Sequence, residues 1–149
     1  MTAETDLIKL YSGRILQLAS DIPHLGRLDA PMASVKKRSP LCGSTVTVDL
    51  DVENGVVTRF GQDVKACALG QAAASVVGGA ITGRSLPEVT QARDEMKAML
   101  AGGEVPAAPF DGLEVLKPAA DYKNRHASIL LTLEASVEAM TQAQQADCA

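Results

Sequence analysis

Hydrophobic positions recur with two different periods along the chain. Between Glu4 and Ser20, Leu7, Leu10, Tyr11, Ile15 and Leu18 fall three or four residues apart, with Lys9, Arg14 and Gln17 on the opposite side. That spacing predicts an amphipathic helix within residues 1–20. Across Thr45 to Val52 the period drops to two, because Val46, Val48, Leu50 and Val52 alternate with polar residues, as in a strand with one buried face. Asn54-Gly55 separates this run from Val56-Val57-Thr58-Arg59-Phe60. The dipeptide supplies the two positive-φ residues of a tight turn, so the runs are expected to pair as a hairpin.

The connections read less regularly. Ile22-Pro23-His24-Leu25-Gly26 breaks the first helix, and Ser34 to Pro40, with Lys36, Lys37 and Arg38, reads as a polar loop. After residue 67 small residues dominate (Ala68, Ala72, Ala73, Ala74, Ser75, Gly78, Gly79, Ala80), which predicts a helix that another backbone can approach closely, ended by Gly83. Ser85-Leu86-Pro87-Glu88 is a capping box with an early proline, opening a helix to about Leu100 that stops at Gly102-Gly103. Residues 101–121, with Pro106, Pro109 and Pro118, are expected to be an inserted loop with one short helical turn near Asp111 to Leu116. The last helix is predicted from about Arg125 to Gln144, with Leu130, Leu133, Val137 and Met140 on one face and His126 on the same stripe. Residues 145–149, Cys148 among them, read as a frayed tail.

Composition narrows the class. A chain of 149 residues that is 46% hydrophobic can bury one core, so residues 1–149 are expected to form a single domain. A net charge of −4, with two Phe, two Tyr and no Trp, argues against nucleic acid, which requires a basic footprint and stacking aromatics. No stretch approaches the ~20 apolar residues of a membrane span, and the acidic start Met1-Thr2-Ala3-Glu4-Thr5-Asp6 is unlike a signal peptide. A cytoplasmic location is expected. Three cysteines are an odd number and make no disulfide framework.

The candidate chemistry lies at two of those thiols. Cys67 follows a strand-like run and precedes a helix, where the dipole and unpaired N–H groups favour thiolate. An inert cysteine buried among alanines is the competing reading. Cys42, in Pro40-Leu41-Cys42-Gly43, has a glycine beside it that leaves the sulfur approachable. His126 reads either as a core histidine or as a zinc or iron ligand. Two thiolates and an imidazole form a three-ligand set, although their wide spacing is not diagnostic. No Walker or Gly-x-Gly-x-x-Gly motif has the required context, and a Cys67/His126 protease lacks an orienting residue and an oxyanion element.

Taken in order, the motifs resemble the NifU/IscU-type iron–sulfur cluster scaffold family. Pro40-Leu41-Cys42-Gly43-Ser44 resembles the family's Cys-Gly-Asp loop; Cys67 with Ala72 and Ser75 resembles its Cys-x4-Ala-x2-Ser helix start. Gly83-Arg84-Ser85-Leu86 with Glu88 resembles Gly-Lys-Ser-Leu-x-Glu, and His126-Ala127-Ser128-Ile129-Leu130 is similar to His-Cys-Ser-Ile-Leu. The similarity runs from about Gly26 to Met140, and the 101–121 segment resembles the insertion of the SufU branch. The resemblance implies an α+β fold, a small antiparallel β-sheet with helices packed on one face. It implies a non-enzymatic scaffold or carrier that binds iron, zinc or a [2Fe–2S] cluster through Cys42, Cys67 and His126. A cysteine desulfurase and iron–sulfur recipient proteins would be its partners. Ser44 stands where the family has aspartate and Ala127 where it has the third cysteine, so both are further site positions. The family's Leu-Pro-Pro-Val-Lys segment is replaced by Asp121-Tyr122-Lys123-Asn124-Arg125. These departures leave a second reading, a degenerate paralogue acting as an interaction module or accessory subunit of a larger complex.

Overall fold

A computed structural model describes residues 13–40 and 43–148. The order is α1 (Gly13–Ser20), β1 (Ala33–Arg38), β2 (Thr45–Glu53), β3 (Val56–Lys65), α2 (Ala68–Ala80), α3 (Leu86–Leu100), a 3-10 helix (Asp111–Asp121) and α4 (Lys123–Cys148). The part of the expected first helix that precedes Gly13 lies outside the described residues. The three strands form an antiparallel sheet in the order β1-β2-β3.

The hairpin forms as its alternation requires. Val46, Val48, Leu50 and Val52 are at most 1% exposed, and Asn54 (φ 53°) and Gly55 (φ 81°) supply the left-handed turn. Through the register, Val35, Val48 and Gln62 share the core face, as do Ala33, Leu50 and Phe60. Helices α2 and α4 cover that face, and α4 packs against both β1 and β2.

The opposite face is covered by the segment between α1 and β1. Gly26 N–H donates to Gln62 O at 2.7 Å and Gln62 N–H donates to His24 O at 3.0 Å. Gly61 makes room for this strap: a Cβ there would lie 2.7 Å from Gly26 O. Asp49, fully buried on the outer face, anchors it. Its carboxylate accepts from Arg27 Nε (2.7 Å), Arg27 Nη2 (3.2 Å), Leu28 N–H (3.0 Å) and Ser34 Oγ (2.6 Å). Burial alone would push its pKa up; Arg27, Ser34 and the Leu28 N–H outweigh that and hold it below the usual carboxylate value.

Four expectations need correction. Ser34 to Pro40 is not a loop: Ala33–Arg38 is an edge strand, with Ala33 and Val35 buried and Ser34, Lys36 and Arg38 exposed. Two apolar residues suffice because pairing with β2 satisfies the backbone, and lysines on an edge discourage further strand addition. Residues 101–121 hold more order than one helical turn. Leu113, Leu116 and Ala119, each 0% exposed, recur every three residues, the period of the 3-10 helix they build. No tail begins at 145, since α4 continues to Cys148 through a run without Gly or Pro. Finally, α4 buries more than its leucine stripe. Ser128, Thr132 and Ser136, with Ala135, Ala139 and Ala143, are also buried, while Val137 is only half-buried.

Candidate functional site

The site lies where β3 passes into α2. Cys67 is the N-cap residue of α2, with an extended backbone (φ −67°, ψ 170°) and no hydrogen bond between its side chain and the first N–H groups of the helix. It is half-buried and a free thiol. Its Sγ is 3.7 Å from Ser128 Oγ on α4, and Ser128 Oγ donates to Ser44 Oγ at 3.1 Å. With Ser128's proton directed at Ser44, the neutral Cys67 thiol is the donor of the first pair. When Cys67 ionises, Ser128 can turn and donate to the sulfur.

Gly70 permits this approach of α4. A Cβ there would lie 2.8 Å from Ser128 Oγ and 2.9 Å from Ala66 Cβ, closer than side chains pack without displacement, and a tight 3.1 Å from Ser128 O. Burial opposes charge on Cys67, but the Gly70 N–H, the Ser128 hydroxyl, the Leu69 N–H and the Arg125 side chain together outweigh it. The thiol is held below its ordinary pKa. Arg125 also lines an open cleft of about 390 Å³ with Asp121, Tyr122, Lys123 and Asn124, at the start of α4. On the outer face of the sheet, Arg38 and Lys65 flank Thr45 in register, both exposed, just before the Cys42 loop and Cys67 respectively.

Of the residues singled out from sequence, Cys67 and Ser44 are therefore brought together through Ser128. Cys42 lies outside the described residues. Its loop is closed on either side, with Ser39 N–H donating to Ser44 O at 2.8 Å and Gly43 N–H to Ser39 O at 3.1 Å. Ala127 contributes a methyl group and no donor. His126 is half-buried, and its Nε2 lies 2.9 Å from Ala119 O and 3.1 Å from Ala120 O. Carbonyls only accept, so the hydrogen-bond network assigns the proton to Nε2 and leaves Nδ1 as the ring's lone pair. Among the described residues, no group of three or more His, Cys, Asp or Glu side chains is placed to hold a metal ion. Likewise, no helix among them is long and apolar enough to cross a membrane.

Sequence reasoning missed Ser128, Arg125 and Gly70. A signal existed for each. Arg125 and Ser128 are three apart at the start of a helix, hence on one face, and a lone glycine early in an alanine-rich helix marks close approach.

The comparisons agree with this architecture. Residues 10–128 match the NifU-like N terminal domain. The chain belongs to that family. A crystal structure of a nitrogen-fixing NifU-like protein (N-terminal) from Brucella abortus superposes with a TM-score of 0.91 at 42% identity, covering 94% of this chain and 98% of that one. The iron-sulfur cluster assembly scaffold protein IscU of Thermotoga maritima is 25% identical over 131 residues, 88% of this chain and 92% of that protein. A candidate SUF-system scaffold from Fervidobacterium islandicum shares the fold, with a TM-score of 0.79 at 18% identity over 89% of this chain and 98% of that one.

Proposed function

We propose that this chain serves in iron–sulfur cluster assembly, with Cys42 and Cys67 as the pair of thiols that takes cargo from a cysteine desulfurase and passes it to recipient proteins. The observation that carries the reading is the hydrogen-bonded line from Cys67 through Ser128 to Ser44. Ser44 is two residues from Cys42, and two residues of chain reach at most about 7 Å. Family membership and the scaffold IscU relative support the same reading. Iron, zinc or a [2Fe–2S] cluster would need ligands beyond the two thiolates, and His126 offers only Nδ1. The chain acts as a carrier and turns over no small substrate.

The test is oxygen-free reconstitution with cysteine, a cysteine desulfurase and ferrous iron, scored by sulfane sulfur, acid-labile sulfide and iron on the repurified protein. The reading requires that cargo load on the wild type and fall to background in Cys42→Ala/Cys67→Ala. Equal loading of wild type and double variant contradicts it.

A further inference from the structure

The two edges of the sheet are finished differently. Along β3, the strap closes on Gln62 through the bonds to Gly26 and His24, and the turn before α3 closes on Val57, whose N–H donates to Arg84 O at 3.1 Å and whose carbonyl accepts from Gly83 N–H at 2.8 Å. Among the described residues, β1 bonds to β2 and to no other backbone. The direction of its free groups follows from parity. Ser39 N–H donates to Ser44 O, one step beyond the pair of Arg38 with Thr45, so Ser39, Lys37, Val35 and Ala33 direct their backbone groups at β2. Gln62, which bonds outward from β3, and Val52, whose N–H donates to Met32 Sδ at 3.3 Å on the β1 side, keep the same alternation. The N–H and C=O groups of Ser34, Lys36 and Arg38 therefore point away from the sheet, and the three residues are exposed.

We propose that the β1 edge takes an extended acidic segment of a partner protein as a fourth strand, with carboxylates two residues apart lying opposite Lys36 and Arg38. A free row of N–H and C=O groups is what strand addition uses. The charges choose the strand. Neither Lys36 nor Arg38 has an ion-pair partner among the described residues, and exposed Lys65 adds a cation on the same face beyond Thr45. A second copy of β1 would set these cations against their own kind, whereas glutamate or aspartate opposite them is attractive. The residues that keep the edge from self-pairing thus admit an acidic strand. Alternate residues of that strand would lie beside Val35 and Lys37 on the face covered by α4, where Val35 is buried and Lys37 is already paired with Glu138 at 3.2 Å, so uncharged β-branched residues suit them.

The probe is a fluorescein-labelled peptide that alternates glutamate with valine, Glu-Val-Glu-Val-Glu-Val, titrated with the full-length protein and read by anisotropy at low salt. It should bind, and its affinity should fall about tenfold in Lys36→Glu/Arg38→Glu and fall again as salt is raised. Lysine in place of glutamate in the peptide should abolish binding. Lys36→Pro removes an outward N–H and leaves the β2-facing bonds of Val35 and Lys37, so it should bind about tenfold more weakly than Lys36→Ala, which removes the charge alone. If Lys36→Pro does not fold, N-methylation of the glutamate amides removes the same ladder from the peptide's side and should abolish binding to the wild type. Hydrogen exchange locates the added strand. The Lys36 and Arg38 amides should exchange fast in the free protein and slow by about tenfold with peptide, while those of Val35 and Lys37 are slow in both. Four results overturn the proposal: no binding, binding unchanged in Lys36→Glu/Arg38→Glu, equal binding of the N-methylated peptide, or Lys36 and Arg38 amides already protected in the free protein.

Discussion

Asp49 and Cys67 sit on opposite faces of the sheet, and both are anion sites built from the same parts. Each gathers an arginine, a serine hydroxyl and backbone N–H groups: Arg27, Ser34 and Leu28 for the carboxylate, and Arg125, Ser128, Leu69 and Gly70 for the thiol. In both, hydrogen-bond donors outweigh the cost of burial and lower the pKa. They differ in closure. Asp49 is 0% exposed and its four donors pin the strap and β1 to β2, whereas Cys67 is half-buried, so its sulfur keeps some access to solvent. A closed anion site is a structural clasp. One left open at a helix N-terminus is a place where the anion can react.

The largest expected effect breaks the clasp. Asp49→Ala removes four hydrogen bonds and leaves the Leu28 N–H and Ser34 hydroxyl without their acceptor, so chemical denaturation should show a loss of about 2–3 kcal/mol. The lower half of that range is expected, because Arg27 is 57% exposed and can return to water. Cys67→Ser should cost under about 1 kcal/mol, because it neither opens a cavity nor leaves a donor unpaired. Equal losses would erase the distinction between clasp and reactive site. The pH dependence follows from the same depressed carboxylate. Its stabilisation is complete above the ordinary aspartate pKa and disappears as pH falls through the lower folded value, so below about pH 4 the wild type should approach Asp49→Ala in stability.

A second variant sharpens the comparison from the other side. Gly70→Ala places a methyl 2.8 Å from Ser128 Oγ, so α4 must shift, at about 1–3 kcal/mol. Thermal unfolding reads that loss. Iodoacetamide labelling of Cys67 should slow along with it, because Ser128 moves away from the sulfur. Labelling that is unchanged in a folded Gly70→Ala protein would show that Ser128 does not govern the thiol.

How far these sites could be read from sequence depends on whether their signal is local. The hairpin and the capping box of α3 were legible because turn geometry and helix-start hydrogen bonds are fixed within four residues; Ser85 and Glu88 make the reciprocal contacts that their spacing implies. Cys67 was legible for the same reason, as a cap read from the residues on either side. β1 was not, since Ala33 and Val35 form a strand only when β2 is beside them. Ser128 was hidden by its own polarity. In a periodicity count it weakens the apolar face of α4, yet it is 1% exposed and faces Ser44, 84 residues away in sequence. His126 was placed on the correct half-buried stripe, but its hydrogen bonds to Ala119 and Ala120 depend on a 3-10 helix that three prolines and three glycines obscured.

Restoring ligands gives a smaller effect. Ala127→Cys with Ser44→Asp adds a soft thiolate and a carboxylate at the two positions where the family carries ligands and should raise zinc affinity, by about tenfold or more, in a chelator competition. A double variant with no gain would mean that the two positions do not face a common centre.

The pH profile of Cys67 alkylation by iodoacetamide, resolved by peptide mass and compared with Ser128→Ala, tests the central claim most directly. If hydrogen-bond donors hold the sulfur as an anion, the wild-type midpoint lies below that of a cysteine in an unstructured peptide measured alongside and moves up in Ser128→Ala. A wild-type midpoint at or above that value, unmoved by Ser128→Ala, would contradict it.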